Sequence, residues 1–258
     1  MSQKEKAEKL RALHHSDQPL VLVNVWDVAG AKIVEELGFP VAATASAAIS
    51  ASLGFEDNEE IGREEMLTVV KRIADAVDIP VTADLEAGYG PAVEDAIATA
   101  RGAIEAGAVG LNFEDSAHKD TSVLYDPELQ ATRIKAIRDV GVQLGVPLVI
   151  NARTDVFFRT ELPEEEKFQE SVRRAKIYLD AGADCIYVLG PTNEDMIARL
   201  VKAIPAPVNM LALPDAPPIA RMAELGVKRV SFGPRPMRLA MTEFREAAQH
   251  VRDLGTFP

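Results

Sequence analysis

The chain has 258 residues, of which 47% are hydrophobic, 26% charged and 5% aromatic, and this length and composition are typical of one globular domain with a large core. Its 40 acidic and 28 basic residues give a net charge of −12, which argues against nucleic acid or an anionic membrane as a partner. The one cysteine, Cys185, excludes an internal disulfide and is typical of a reducing compartment.

No apolar run approaches the ~18 residues of a transmembrane helix, and the start MSQKEKAEKLRAL lacks the apolar core of a signal peptide. We therefore expect a cytoplasmic protein. Cys185 lies in the apolar run CIYVL and is predicted to be a buried, small hydrophobic residue.

Short apolar runs with strand character alternate with longer helical patterns along the chain. The predicted strands are VLVNVW (21–26), VAATAS (41–46), VTADL (81–85), GLNFED (110–115), LVINAR (148–153), CIYVL (185–189), PVNMLA (207–212) and VKRVSFG (227–233). Helical periodicity follows several of them, for example over 94–106, 127–144 and 164–181.

Eight apolar strands that alternate with helices predict a parallel sheet whose strands are buried on both faces, and eight strands are enough to close a barrel. We therefore predict a single (β/α)8 TIM barrel domain over residues 1–258, with an extra N-terminal helix across the barrel floor. The alternative is a doubly wound open sheet. It favours a glycine-rich fingerprint after the first strand, where this chain has VWDVAGAK.

Acidic residues gather at the predicted carboxyl-terminal strand ends, where barrel enzymes carry their active sites. Asp84 and Glu86 end the third strand, Glu114 ends the fourth, and Asp57 lies in the loop after the second. Carboxylates that crowd together repel unless a cation intervenes, and Mg2+ or Mn2+ prefers such oxygen ligands. The four acids are therefore predicted to form a metal site; the alternative is that they are helix N-caps and solvated loop acids.

Further candidates come from the other strand ends. Arg153 ends the fifth strand and could grip a carboxylate or phosphonate with paired donors, or form a structural ion pair with Asp155. Ser46 and Ala47 lie in the small-residue run TASAAISASLG, which suits either close approach of a ligand to backbone N–H groups or tight packing. Asn209, at the end of the seventh strand, is a further substrate-binding candidate.

The four histidines form no motif. His14 and His15 on the first helix and His250 on the last are predicted to be surface residues. His118 and Lys119 lie in the loop after the fourth strand, which is longer than the usual 2–6 residues of such connections and therefore resembles a lid. Both are candidate catalytic residues, and a solvated loop histidine is the alternative.

Several motifs in register resemble the isocitrate lyase/phosphoenolpyruvate mutase superfamily, including its phosphonomutases and 2-methylisocitrate lyases. They are ASLGFEDNEE, ADLEAGYG, NFED, NARTD and RVSFGP, and the match covers nearly the whole chain. The resemblance implies a Mg2+-dependent (or Mn2+-dependent) barrel that stabilises the enolate of a small 2-oxo acid while a C–C or P–C bond breaks.

The resemblance also implies roles for single residues. Asp84 would ligate the metal directly, while the other three acids would hold the metal's water molecules. Arg153 would bind the anionic group of the substrate, and the N–H groups of Ser46 and Ala47 would meet its carboxylate or keto oxygen. The family further implies a homodimer or homotetramer in which the last helix, about 235–251, packs onto a partner's barrel.

The chain departs from the family at the lid. Isocitrate and methylisocitrate lyases carry a lid cysteine as the acid, and this chain has none there; Lys119 and Ser122 match the Lys and Asn of the phosphonomutase lid poorly. We therefore expect neither activity, but decarboxylation or hydrolytic cleavage of an oxaloacetate-like or phosphonopyruvate-like acid. The alternatives are a class II aldolase-like lyase, which normally has histidines at strand ends, and a metabolite-binding barrel that has lost catalysis.

Overall fold

The computed structural model describes residues 1–117 and 123–258. In chain order its elements are α1 (Gln3–Leu13), β1 (Leu20–Leu22), β2 (Asn24–Val25), α2 (Val28–Glu36), β3 (Ala42–Thr44), α3 (Ser46–Leu53), α4 (Arg63–Ala76), β4 (Val81–Asp84), α5 (Val93–Glu105), β5 (Gly110–Glu114), α6 (Pro127–Gln143), β6 (Val149–Thr154), α7 (Val156–Arg159), α8 (Glu164–Asp180), β7 (Cys185–Val188), α9 (Glu194–Ala203), β8 (Val208–Leu211), α10 (Ile219–Glu224), β9 (Arg229–Ser231) and α11 (Arg235–Leu254).

All strands pair in parallel, in the order β1-β9-β8-β7-β6-β5-β4-β3-β2. The first predicted strand is divided, because β1 pairs with β9 while β2 pairs with β3. Only Val23 separates the two segments, so one extended stretch joins both edges of the sheet. The predicted barrel with eight strand positions is confirmed, and the open-sheet alternative is excluded.

The N-terminal helix covers the amino-terminal end of the barrel, as predicted. Leu10 of α1 packs on the first residue of β5, where a Cβ at Gly110 would lie 2.7 Å from Leu10 Cδ2. Arg11 donates to Asp184 Oδ1 (3.0 Å) and to the carbonyl of Leu148 (3.1 Å) just before β6. These contacts hold α1 against the amino-terminal ends of β5 and β6.

His14 is not at the surface, and this prediction from sequence is wrong. It caps the end of α1 with 1% of its surface exposed. Its Nδ1 lies 2.8 Å from the carbonyl oxygen of Leu10 and its Nε2 lies 3.3 Å from Nη1 of Arg229. Both ring nitrogens are therefore placed among polar partners inside the barrel floor, which compensates for the loss of water. Cys185 is buried, as predicted.

The last helix, α11, packs differently from the others. None of its residues is buried, although it spans 20 residues. Its exposed apolar side chains are Leu239, Met241, Phe244, Val251 and Leu254. No helix among the described residues is long and apolar enough to span a membrane.

Candidate active site

A cavity of about 350 Å³ opens at the carboxyl-terminal ends of the strands. Six residues proposed from the sequence line it: Ser46, Ala47, Asp57, Asp84, Glu114 and Arg153. They follow or end β3, β4, β5 and β6, and parallel strands bring these ends together at one mouth of the barrel. The structure thus assembles most of the predicted site from segments far apart in sequence.

Asp84 ends β4 with its carboxylate held on both oxygens. Oδ2 accepts hydrogen bonds from the backbone N–H (3.0 Å) and the hydroxyl (2.8 Å) of Ser46. Oδ1 accepts one from Nδ2 of Asn112 (3.2 Å). A carboxylate offers about four acceptor positions, so a position on Oδ1 is available to an ion in a fixed orientation.

Glu86 lies behind Asp84 with 2% of its surface exposed. Burial, and then the charges of Glu114, Asp57 and Asp84, raise the pKa of Glu86 to about 9. Such a carboxyl is protonated at neutral pH unless positive charge is added nearby. The four acids predicted as a metal site therefore lie within one another's electrostatic field.

The loop after β4 needs unusual backbone geometry to place Glu86. Glu86 itself has a φ of 52°, a region that non-glycine residues occupy only where their surroundings hold them. A Cβ at Gly88 would lie 2.7 Å from the Phe113 ring, so only glycine fits. Arg133 is buried and donates to the carbonyl of Gly90 (2.7 Å), which ties the loop to α6.

Arg153 is embedded among acids at the edge of the cavity. Its Nε and Nη2 donate to the two oxygens of Asp155 (2.5 and 2.8 Å), and its Nη1 lies 2.5 Å from Glu114 Oε2. The structural ion pair considered from sequence is thus present. A guanidinium has five N–H donors, so these three contacts leave donors for a ligand in the cavity.

The helix α3 begins at Ser46, directly at the cavity. The first N–H groups of a helix have no partner within it and favour negative charge. Here the N–H of Ser46 is already bonded to Asp84, while Ala47 lines the cavity. The small residues of this run therefore let the carboxylate of Asp84 approach the backbone of Ser46 closely, and they also allow tight packing.

These side chains fit a hard divalent cation. The donors are carboxylate oxygens, which Mg2+ and Mn2+ prefer, and positive charge would relieve the repulsion that raises the pKa of Glu86. No group of three or more His, Cys, Asp or Glu among the described residues is arranged to ligate an ion directly. An ion that is bound directly by one carboxylate, while the other carboxylates bond to its water molecules, is compatible with that arrangement.

Besides Glu86, which does not line the cavity, three candidates lie away from it or outside the described residues. Asn209 is fully buried, with Nδ2 3.4 Å from Ser231 Oγ; Ser231 lines the cavity and Asn209 does not. Asn209 therefore lies one layer below the position predicted for it. His118 and Lys119 belong to residues 118–122, outside the described part of the chain.

Sequence reasoning gave no role to several residues that the structure brings to the site. Asn112 bonds Asp84, and the lining also includes Tyr187, Arg159, Arg235 and Arg238. For Asn112 and Arg235 a signal existed, because Asn112 lies in a predicted strand, two residues before Glu114, and Arg235 follows another predicted strand by two residues. Arg159 is one short helix beyond β6, where strand-end reasoning does not reach.

Comparison with known proteins decides the family. The family model for phosphoenolpyruvate phosphomutase matches residues 10–252. The chain belongs to this family. Members of the wider phosphoenolpyruvate mutase/isocitrate lyase superfamily are lyases, mutases and hydrolases, so the resemblance inferred from the motifs is confirmed.

Individual relatives cover almost the whole chain. A solved protein of Burkholderia cenocepacia J2315 is 41% identical, with a TM-score of 0.91 over 95% of this chain and 99% of that one. The 2-methylisocitrate lyase of Escherichia coli K12 is 26% identical over 97% of this chain and 84% of its own length.

Two further solved structures contain oxalate. Phosphonopyruvate hydrolase in complex with oxalate and Mg2+ is 27% identical, with a TM-score of 0.87 over 97% of this chain and 88% of that one. Oxaloacetate acetylhydrolase in complex with its product oxalate is 25% identical, with a TM-score of 0.88 over 98% of this chain and 89% of that one.

Proposed function

We propose that the chain is a Mg2+-dependent (or Mn2+-dependent) enzyme that cleaves a C–C or P–C bond of a small anionic 2-oxo acid, oxaloacetate-like or phosphonopyruvate-like, through an enolate. One observation carries this proposal. Asp84 is held in a fixed orientation by Ser46 and Asn112, in the same cavity as Arg153. An ion site beside an anion-binding group is what a metal-assisted reaction on an oxo acid requires.

Each side chain has a distinct task in this proposal. A bound divalent ion would polarise the substrate's keto oxygen and stabilise the negative charge that develops there. Asp84 presents the direct carboxylate, while Asp57, Glu86 and Glu114 hold the surrounding water. Arg153 orients the anionic end of the substrate through paired donors.

The remaining tasks concern the oxygen atoms and the proton of the substrate. At the start of α3 the N–H of Ser46 holds Asp84, so of the two predicted N–H groups that of Ala47 is the one left to favour negative charge on a substrate oxygen. His118 and Lys119 are the proposed proton donors, and Asn209 supports the substrate pocket from below.

The relatives support hydrolytic chemistry without assigning it. Phosphonopyruvate hydrolase and oxaloacetate acetylhydrolase are similar to this chain over nearly their whole length, and phosphonopyruvate and oxaloacetate are both small anionic 2-oxo acids. The chain has no cysteine near its lid-like loop, which favours these reactions over cleavage of isocitrate or methylisocitrate.

A substrate panel tests the proposal. Oxaloacetate, phosphonopyruvate, isocitrate and methylisocitrate are compared under one set of conditions with Mg2+, with and without a chelator. We expect turnover of oxaloacetate or phosphonopyruvate that the chelator abolishes. A kcat/KM near ~10⁴ M⁻¹s⁻¹ for either lyase substrate, the lower end of ordinary enzymes, would contradict the argument from the lid, and no turnover of any substrate would favour a ligand-binding barrel.

The last helix supports a proposal about assembly. The exposed apolar side chains of α11 need cover, and we propose that α11 packs onto the barrel of a second copy in a homodimer or homotetramer. Light scattering should give a mass of two or four chains for the wild type. Phe244→Glu should shift the mass towards one chain, and a monomeric wild type would contradict the proposal.

A further inference from the structure

A buried arginine lies inside the barrel below the candidate metal site. Arg229, on β9, has only 2% of its surface exposed. It forms no salt bridge with any described carboxylate; its Nη2 donates to Asn112 Oδ1 (3.0 Å), and its Nη1 lies 3.3 Å from His14 Nε2. Its Nε has no hydrogen-bond partner in the part of the chain that the structure describes. A buried charge without a paired charge is costly, so its presence calls for a reason.

The contact between Arg229 and Asn112 spans the barrel. Asn112 lies on β5, and the strand order places β5 and β9 four positions apart, which is half-way round a barrel of eight positions. The arginine side chain therefore crosses the interior to reach the opposite wall. Its neighbour there, Asn112, is the residue that donates to Asp84.

The donors and acceptors of Arg229, Asn112 and Asp84 determine the orientation of the Asn112 amide. An arginine has only donors, whereas an asparagine amide has an acceptor end and a donor end. Asn112 must turn its oxygen towards Arg229, and its NH2 group then faces Oδ1 of Asp84. Asn151 also donates to that oxygen (2.8 Å), but its own amide can rotate by 180° and so cannot fix the direction.

We infer that Arg229 is a positioning residue for the metal site: through Asn112 it fixes the direction of the hydrogen bond that orients the Asp84 carboxylate. This inference rests on the proposed function, since it takes Asp84 as the direct metal ligand. Groups behind a metal ligand orient it and strengthen metal binding. The positive charge of Arg229 acts in the opposite sense, because it repels a cation in the cavity.

A double-mutant cycle separates these two effects. The charge of Arg229 acts on an ion whether or not Asn112 is present, whereas the orienting effect requires Asn112. The cycle therefore compares Arg229→Met in the wild-type background and in an Asn112→Ala background. The Kd of Mn2+ is measured by calorimetry on the metal-free proteins, and circular dichroism confirms that each variant is folded.

We expect Arg229→Met to weaken Mn2+ binding roughly 10- to 100-fold more with Asn112 present than with Ala at that position, the usual range for groups behind a ligand. Arg229→Lys, which still offers only donors, should stay within about threefold of the wild type. Should Arg229→Met fail to fold, Arg229→Gln replaces it, because a glutamine does not dictate the direction of the Asn112 amide. The matched control is Arg138→Met. Arg138 lies on α6 at the barrel floor, where it donates to the carbonyl of Gly182 (2.7 Å), and its substitution should leave the Mn2+ affinity unchanged in both backgrounds.

If Arg229→Met, or Arg229→Gln in its place, changes the Kd of Mn2+ equally with Asn112 and with Ala at that position, the inference is overturned. If the effects are equal but the wild type binds Mn2+ and Asp84→Ala does not, only the inference is contradicted and the proposed function stands. If the wild type binds no Mn2+ or Mg2+, the proposed function fails and the inference fails with it.

Discussion

The two ends of the barrel surround their acids with different partners. At the floor, Asp184 accepts hydrogen bonds from Arg11, from Arg138 and from the backbone N–H of Ile150. At the mouth, Glu86 lies among Glu114, Asp57 and Asp84, whose charges raise its pKa. At the floor two arginines converge on one acid, whereas at the mouth several acids raise the pKa of Glu86 even though Glu114 pairs with Arg153.

This difference separates stability from function. A carboxylate that is matched by arginines and backbone donors stabilises the folded chain. Acids that repel one another destabilise the fold unless an ion is bound, and such an arrangement is typical of functional sites. In barrels the floor serves stability and the mouth serves chemistry, so substitutions at the two ends should have separable effects.

The largest effect is expected at Asp84. Asp84→Ala removes the proposed direct ligand, so we expect metal-dependent activity to be abolished and Mn2+ affinity to fall on the order of 100-fold or more, because groups behind a ligand alone contribute 10- to 100-fold. Glu86→Asp is the matched control and should keep much of the activity, since the proposed contact of Glu86 with the ion runs through water. Unchanged affinity in Asp84→Ala, measured by calorimetry, would rule out the assignment.

A smaller effect is expected at Arg153. Arg153→Lys keeps the charge but loses the paired, coplanar donors. Losing one hydrogen bond to a charged group costs about 1.5–3 kcal/mol, which corresponds to roughly 10- to 150-fold in kcat/KM. The measurement is steady-state kinetics on each active substrate. Wild-type kinetics on all of them would show that Arg153 only pairs with Asp155 and Glu114.

At the floor, substitution should change stability but not activity. Arg138→Met removes an arginine that bonds Asp184 and the carbonyl of Gly182 (2.7 Å), while Arg11 still pairs with Asp184. We expect a loss of roughly 1–3 kcal/mol in the free energy of unfolding and an unchanged kcat/KM. Chemical denaturation and kinetics on the same sample check both, and a large loss of kcat/KM would break the proposed separation of the two ends.

The smallest effect concerns His14 and pH. Burial, and then the charge of Arg229, lower the pKa of His14 to about 4, while Asp184 raises it and His15 lowers it further. The unfolded chain therefore binds a proton at His14 below about pH 6.5 and the folded chain does not. Stability from this group is complete above pH 6.5 and is lost as the pH falls towards 4.

At pH 5.5 this loss amounts to about 1 kcal/mol in the free energy of unfolding. His14→Gln cannot take up a proton, so its stability should depend less on pH between 6.5 and 4 than that of the wild type. Urea titrations at several pH values measure this difference. Parallel pH dependences for the two proteins would mean that His14 has the same pKa in the folded and the unfolded chain, which would contradict the lowered pKa.

Strand ends were the part of the site that sequence could predict. Asp84, Glu114 and Arg153 are far apart in the chain, yet each ends an apolar strand, and parallel strands must bring such ends together. The same rule misplaced Asn209. That residue is only the third of six in its predicted strand, 207–212, and the register pairs it with the buried Arg229, so it lies below the cavity.

Contacts through the barrel interior could not be predicted from sequence. His14 and Arg229 are 215 positions apart, and Arg229 and Asn112 are 117 apart. Arg229 occurs in the strand VKRVSFG, where an arginine has no local pattern to distinguish it from a surface residue. Only the closure of the barrel shows that it points inwards.

A crystal structure with Mg2+ and oxalate tests the central claim, that the acids at the barrel mouth form a metal site for a 2-oxo acid, most directly. Oxalate is planar and dianionic, as the enolate of a short 2-oxo acid would be. We expect one ion in contact with a carboxylate oxygen of Asp84, with water between the ion and the other acids, and oxalate on Arg153. An ion elsewhere in the structure, or oxalate bound without contact to Arg153, would contradict the account.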